Sequence, residues 1–386
     1  MDIVMLGPAE PRTFARVFGE SATLPEGLGG TPVTELAAAL LALGHNIHLI
    51  TASPHVENTT SYKGSNLSVH IVPYRIRPRD RALDLFAKER GALSTVLADV
   101  KADILHVHWT YEFAWAAERS NVPTLVTAHD APLTVYRTSP DAYRLARTLM
   151  AYRVRLAISN LSAVSPYLAS RWRREMLYRR DVAIVPNIVP QLAPRDACRS
   201  GNVIVDIADS SPRKNVKRLL EAFALVKRAR PESELRLIGP GLEPASNMCQ
   251  WAAERELIEG VAFLGRQTRD QVAEHLAEAS VMCHASVEEA QPMCLLEAMA
   301  MGVPVIGGQR SGGVPWTLGA DAEEGAAGLL VDVTSPVAMS QQMLYLLERD
   351  DEQERLRSLG ETLVRDRHAP SIIAESFLTH YERIAG

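Results

Sequence analysis

Cysteine is scarce in this 386-residue chain, which has only Cys198, Cys249, Cys283 and Cys294. None falls in the paired spacing of a metal knuckle, and so few exclude a disulfide framework. A reduced cytosol is the compartment this implies. Long apolar runs are also missing, and nothing approaches the roughly 20 residues that cross a bilayer. The opening MDIVMLG lacks the basic lead and sustained apolar core of a secretory signal, and reads as a strand. There is no Asp-x-Asp pair of the kind that holds a metal, no internal repeat and no low-complexity segment. No charge sign dominates the whole, whose net charge is −5, but the halves differ. Residues 1–190 carry 21 Lys and Arg against 17 Asp and Glu, and residues 191–386 carry 20 against 29. That split argues against nucleic acid as a partner. It allows the first half to meet an acidic substrate or an anionic membrane surface.

What is present is an ordinary globular composition, 47% apolar and 23% charged, at a length sufficient for two domains. Residues 2–7 read as a first strand. LPEGLGGTPVTELAAALLALGHNIHLIT (24–51) then gives a glycine loop, a helix apolar at Val33, Leu36, Ala37, Leu40 and Leu41, and a second strand. One βαβ unit of this kind predicts a parallel, Rossmann-like sheet. Gly29 and Gly30 at the mouth of the helix either make a turn or let a phosphate approach the backbone. A further strand is expected at 69–76. The arginines between Arg75 and Arg90 form a solvated face or a docking patch for a phosphate-bearing or membrane-bound acceptor.

Two strands end in histidine: ILHVH at His108, and LVTAHD at His129 followed by Asp130. Ligands bind at the carboxyl edge of open α/β sheets, so these side chains are structural or line a site. Residues 137–155 read as helical and basic. Trp172, among Arg171, Arg173, Arg174, Arg179 and Arg180, fits a salt-bridged surface helix or a membrane interface. Breakers place a linker at about 188–201, between a first domain (1–187) and a second (202–370). In the second, strand, loop, helix and strand recur, with Arg213 and Lys214 in the loop. LRLIGPG and VAFLGR end strands at Gly239 and Gly265, the latter followed by Arg266.

The richest stretch is EEAQPMCLLEAMAMGVPVIGG, 288–308. It sets Glu289 and Glu297 eight positions apart across a loop entering a helix, with Pro292 at the first helical position. Apolar residues nearly surround that helix, so a carboxylate at 297 needs a hydrogen-bonding partner. Sugar hydroxyls, an arginine or a backbone group would each serve.

This stretch resembles the E-x7-E motif of glycosyltransferase family 4, retaining enzymes of the GT-B fold. The resemblance covers nearly the whole chain. It implies two Rossmann-like domains facing a cleft, with a last helix (371–384) crossing back to the first domain. It further implies a nucleotide-diphosphate sugar, UDP- or GDP-linked, as donor. Glu297 would hold its ribose and Glu289 the transferred hexose. Lys214 and the amides of Met293 and Cys294 would meet the diphosphate, while Gly239, Gly265 and Arg266 frame the base. His108 would lie beside the donor sugar, and His129 with Asp130 on the acceptor side. The reaction would need no metal or other cofactor. The acceptor would be a carbohydrate, a lipid-linked group or a small molecule, met in the cytoplasm or at the inner face of the membrane. The chain departs from the family pattern at Asp209, where an arginine is usual, for which Arg213 or Arg310 would substitute. It departs again at Ile188, Pro292 and Trp316. A sugar-nucleotide epimerase, a phosphorylase and a degenerate binding subunit are the other readings.

Overall fold

The computed structural model describes residues 1–19, 22–190, 201–323 and 325–386. The chain divides into two compact units: Met1–Pro190 with Ala369–Gly386, and Gln191–His368. Most of the expected linker lies outside the described residues.

The first unit is built on eight strands. They are β1 (Asp2–Leu6), β2 (Asn46–Ser53), β3 (Thr60–Lys63), β4 (Leu67–Pro73), β5 (Ile104–His108), β6 (Thr124–Ala128), β7 (Asn160–Ala163) and β8 (Val182–Ile184). Their order is β3-β4-β2-β1-β5-β6-β7-β8, and every pairing is parallel except β3 with β4. Ile3, Val4, Met5 and Leu6 are all buried, as in a strand covered on both faces. The helix Thr31–Ala42 follows β1 and presents Val33, Leu36, Ala37 and Leu40 to that core. Gly30, its N-cap, has φ +88, and a Cβ there would meet the Pro8 carbonyl oxygen at 2.1 Å. Glycine is therefore demanded at 30 by the chain itself.

The helix Pro370–Ala385 belongs to this unit. It packs on Thr31–Ala42 and against β5 and β6, burying Ile373, Ala374, Phe377 and Tyr381. Tyr381 Oη lies 2.6 Å from His106 Nδ1, and His106 Nε2 lies 2.7 Å from Thr127 Oγ1. A buried histidine thus ties the end of the chain to the middle of the sheet.

The second unit has a wholly parallel sheet. Its strands are β9 (Val203–Ile207), β10 (Glu234–Ile238), β11 (Val261–Gly265), β12 (Val281–His284), β13 (Val305–Gly308) and β14 (Leu329–Val331), in the order β11-β10-β9-β12-β13-β14. Right-handed crossovers are the rule for such units. The strand order reverses at β9, so the loops after β9 and β12 open at the switch point where α/β sheets bind ligands.

Several local expectations are corrected. Residues 137–155 are two helices, Pro132–Thr138 and Ala142–Val154, because Pro140 interrupts them. The strand expected at 69–76 is β4, ending at Pro73. Pro292 is the N-cap, one residue before the helix Met293–Ala300.

Candidate active site

At the switch point, Asp206 is the penultimate residue of β9 and His284 the last of β12, on adjacent strands whose register pairs Val205 with Met282. The loop after β9 carries Arg213 and Lys214. The loop after β12 carries Glu289, itself bridged to Gly312 and accepting the Gly313 amide at 2.7 Å. These segments are stitched together. The Val287 amide donates to the Arg213 carbonyl (2.9 Å), and Asn215 Nδ2 donates to the carbonyls of Ala285 (3.2 Å) and Val333 (2.8 Å).

Glu289 is the centre of this knot. Lys214 Nζ donates to Oε1, Arg213 Nη1 donates to Oε2 at 3.1 Å, and His284 Nε2 lies 3.2 Å from Oε1. Arg213 Nη1 also donates to the Glu288 carbonyl at 2.7 Å. Burial works to raise the Glu289 pKa, but Lys214, the His284 hydrogen bond and Arg213 hold it well below the carboxylate range. Burial likewise opposes charge on Lys214, and Glu289 more than restores it. Glu289 is thus ionised, with the Lys214 and Arg213 side chains paired to its two oxygens.

The helix Met293–Ala300 starts beside this knot. Cys294 Sγ lies 3.7 Å from His284 Nδ1. The amides of a first helical turn have no intrahelical acceptor, so those of Met293 and Cys294 make an electropositive end here. Glu297, on the same helix, is half-buried, where the apolar pattern implied full burial. Asp209 accepts the Ser211 amide at 2.8 Å, so its carboxylate is spent on a turn. Arg310 is exposed, and Arg213 is the arginine that joins Lys214. Gly239 and Gly265 meet at the ends of β10 and β11, the Gly239 amide donating to the Gly265 carbonyl at 2.8 Å. A Cβ on Gly239 would strike the Ala208 carbonyl oxygen at 2.0 Å. Arg266 follows on the surface.

In the first unit His108 and His129 come together, Nδ1 to Nε2, at 3.0 Å. Burial lowers the pKa of both, that of His129 to about 4, so both rings are neutral at pH 7. His108 Nε2 is buried and has no partner among the described residues. Asp130 accepts from Tyr111 Oη at 2.6 Å, and its carbonyl accepts from Trp172 Nε1 at 3.1 Å. At Gly29 (φ +79) nothing lies within 4 Å of where a Cβ would stand, unlike Gly30.

Several arginines of the basic segments are internal fastenings, while Arg77, Arg79, Arg173 and Arg174 are exposed. Arg75 pairs with buried Glu89 at 2.6 Å and with Asp84 at 2.8 Å. Arg81 is buried against Tyr74, and Arg90 lies over the Trp115 ring at 3.8 Å. Trp172 is fully buried, so it is no interfacial anchor, and Arg171 pairs with Glu175, as in a salt-bridged surface helix. Among the described residues no helix is long and apolar enough to cross a membrane.

His284 and Asp206 escaped the sequence reading. VMCHAS ends a strand in histidine just as ILHVH does, and that repeated edge pattern was the available signal.

A parallel six-stranded sheet and an eight-stranded sheet with one antiparallel edge strand make two Rossmann-like α/β units. Sucrose-phosphate synthase from Thermosynechococcus elongatus superposes with a TM-score of 0.78 at 19% identity, over 100% of this chain and 99% of that one. The model for glycosyl transferases group 1 matches residues 199–362, and that for glycosyltransferase family 4 matches residues 29–190. This chain is a family 4-like glycosyltransferase of the GT-B fold. It is 28% identical to N-acetyl-alpha-D-glucosaminyl L-malate synthase of Bacillus anthracis, over 92% of this chain and 93% of the relative. It is 26% identical to phosphatidyl-myo-inositol mannosyltransferase of Mycobacterium tuberculosis, over 92% of each.

Proposed function

We propose that the chain moves a hexose-type sugar from a UDP- or GDP-sugar to an acceptor hydroxyl, with retention of configuration and without a metal ion. The observation that carries this reading is the knot of Lys214, Arg213 and Glu289 beside the N-terminus of the helix Met293–Ala300. A departing nucleoside diphosphate gathers negative charge. Two cationic side chains and the amides of Met293 and Cys294 supply the positive charge to meet it. In this reading they do what a divalent cation would otherwise do.

Lys214 turns from Glu289 to the diphosphate when donor arrives. Glu289, kept ionised, orients the hexose and faces the developing oxocarbenium charge. Glu297 grips the ribose, and Gly239, Gly265 and Arg266 frame the base. His108, neutral and bonded to His129, offers its Nε2 to a sugar hydroxyl, with Gly29, Gly30, His129 and Asp130 at the same sheet edge. The acceptor attacks on the face the diphosphate leaves, and a phosphate oxygen takes its proton.

The names of the two relatives pair one sugar with L-malate and another with phosphatidyl-myo-inositol, both anionic. The excess of Lys and Arg in residues 1–190 fits an anionic acceptor here as well.

Calorimetric titration with UDP and GDP, each with and without EDTA, tests the donor site. Binding of one nucleotide that survives EDTA is expected. Binding of neither, or binding abolished by the chelator, would overturn the assignment.

A further inference from the structure

Asp206 and His284 are fully buried beneath the Lys214–Glu289 knot, and the reading above gives them no task. Asp206 Oδ1 lies 3.0 Å from His284 Nδ1, and His284 Nε2 lies 3.2 Å from Glu289 Oε1. The ring therefore faces a carboxylate oxygen on each side. A neutral imidazole carries one N–H and one lone pair. Either tautomer would aim its lone pair at an anionic oxygen at hydrogen-bonding distance. With Asp206 and Glu289 both ionised, only an imidazolium, donating from both nitrogens, satisfies the geometry. Asp206 Oδ2 has no partner among the described residues, so a cationic ring is also what makes this buried carboxylate tolerable.

We propose that His284 is a positioning residue: an imidazolium held by Asp206 that keeps Glu289 ionised and in place when Lys214 leaves it for the donor diphosphate. This inference rests on the donor-site reading given above. While Lys214 pairs with Glu289, the carboxylate has three cationic neighbours. Once Lys214 moves, Arg213 on Oε2 and His284 on Oε1 still hold both oxygens. The pair Asp206–His284 sits on the ends of two central strands, so Glu289 is referenced to the sheet and not to its own loop.

The groups facing the ring are Asp206 from β9, Glu289 from the loop after β12, and Cys294 from the following helix. Burial works to discharge the ring. Cys294 and the hydrogen bonds to Asp206, Cys294 and Glu289 outweigh it, and the pKa stands well above the ordinary histidine value. The competent form is therefore complete at neutral pH and is lost as pH rises through that raised value.

Nitrogen shifts of 15N-histidine-labelled protein test the charge directly, with the His284 signal assigned by its loss in His284→Gln. Both ring nitrogens are expected to be protonated at pH 7, and a pyridine-like nitrogen there overturns the proposal. Kinetics test the role. Asp206→Asn should lower kcat on the order of 100-fold, the cost of a misplaced group, with little change in donor KM. It should also move the alkaline limb of the kcat profile to lower pH, since the ring has lost its anionic partner. A merely structural aspartate would lower Tm and leave that limb where it was. Wild-type protein that turns over no nucleotide-sugar sinks the donor-site reading, while the nitrogen shifts still decide the charge of His284. Active wild type, inactive Glu289→Gln and an Asp206→Asn with the wild-type kcat and pH profile sink this inference alone.

Discussion

Glu289 has more positive charge around it than it needs, and that surplus is what makes Lys214 releasable. An ion pair buried between single partners resists separation, because the group left behind is uncompensated. Here Arg213 and His284 remain on the carboxylate. Lys214→Ala should therefore fold, keep Glu289 in place and fail in chemistry. The expected loss is on the order of 2–4 kcal/mol of transition-state stabilisation, by analogy with removal of an oxyanion donor. Steady-state turnover with the preferred nucleotide-sugar measures it, and near-normal kcat would end the phosphate assignment. Asp209 stands where the family resemblance expects an arginine, and on the proposed donor-site reading Arg213 takes that part. Asp209 serves a turn, and the guanidinium reaches Glu289 from the next residues of the same loop.

Among the elements, the loop from Pro8 to the helix Thr31–Ala42 separates two roles that the sequence left merged. Gly30 is fixed by the Pro8 carbonyl, whereas Gly29 faces open space with the same left-handed backbone. Gly30→Ala should cost at least about 2 kcal/mol, from strain plus the clash, and Gly29→Ala only about 1–2 kcal/mol of strain. Chemical denaturation of both variants gives the comparison; equal losses would mean the loop relaxes around either methyl. Periodic elements were legible beforehand: the first βαβ unit, the histidine at the end of β5, the helix opening near Pro292. What was not legible depends on partners far away in sequence. No local pattern says that Arg75 closes on Glu89, that Trp172 turns inward to the Asp130 carbonyl, or that short polar β3 pairs with β4. His284 ends a strand as His108 does, but its meaning comes from Asp206, 78 positions earlier.

For the molecule as a whole, the core of the first unit is assembled from both ends of the chain. Ile373, Phe377 and Tyr381 share a cluster with Ile3, Met5, Leu36 and Leu49. Burying three such side chains contributes about 5–9 kcal/mol, comparable to the whole stability of a typical domain. Deleting residues 370–386 should strip hydrogen-exchange protection from β1 and β5 while β9 and β12 keep theirs. Unchanged protection in β1 would show that the helix merely decorates the surface.

The same helix imposes an order in time. A ribosome makes about 5–20 residues each second, and domains fold as they emerge. The second unit lies between the two parts of the first, so it can close while its predecessor still waits. For roughly 10–40 seconds, at that rate, the strip that Phe377 and Tyr381 will cover stays open on the nascent chain. During that interval the first half of the protein is a client for any chaperone that binds exposed apolar surface.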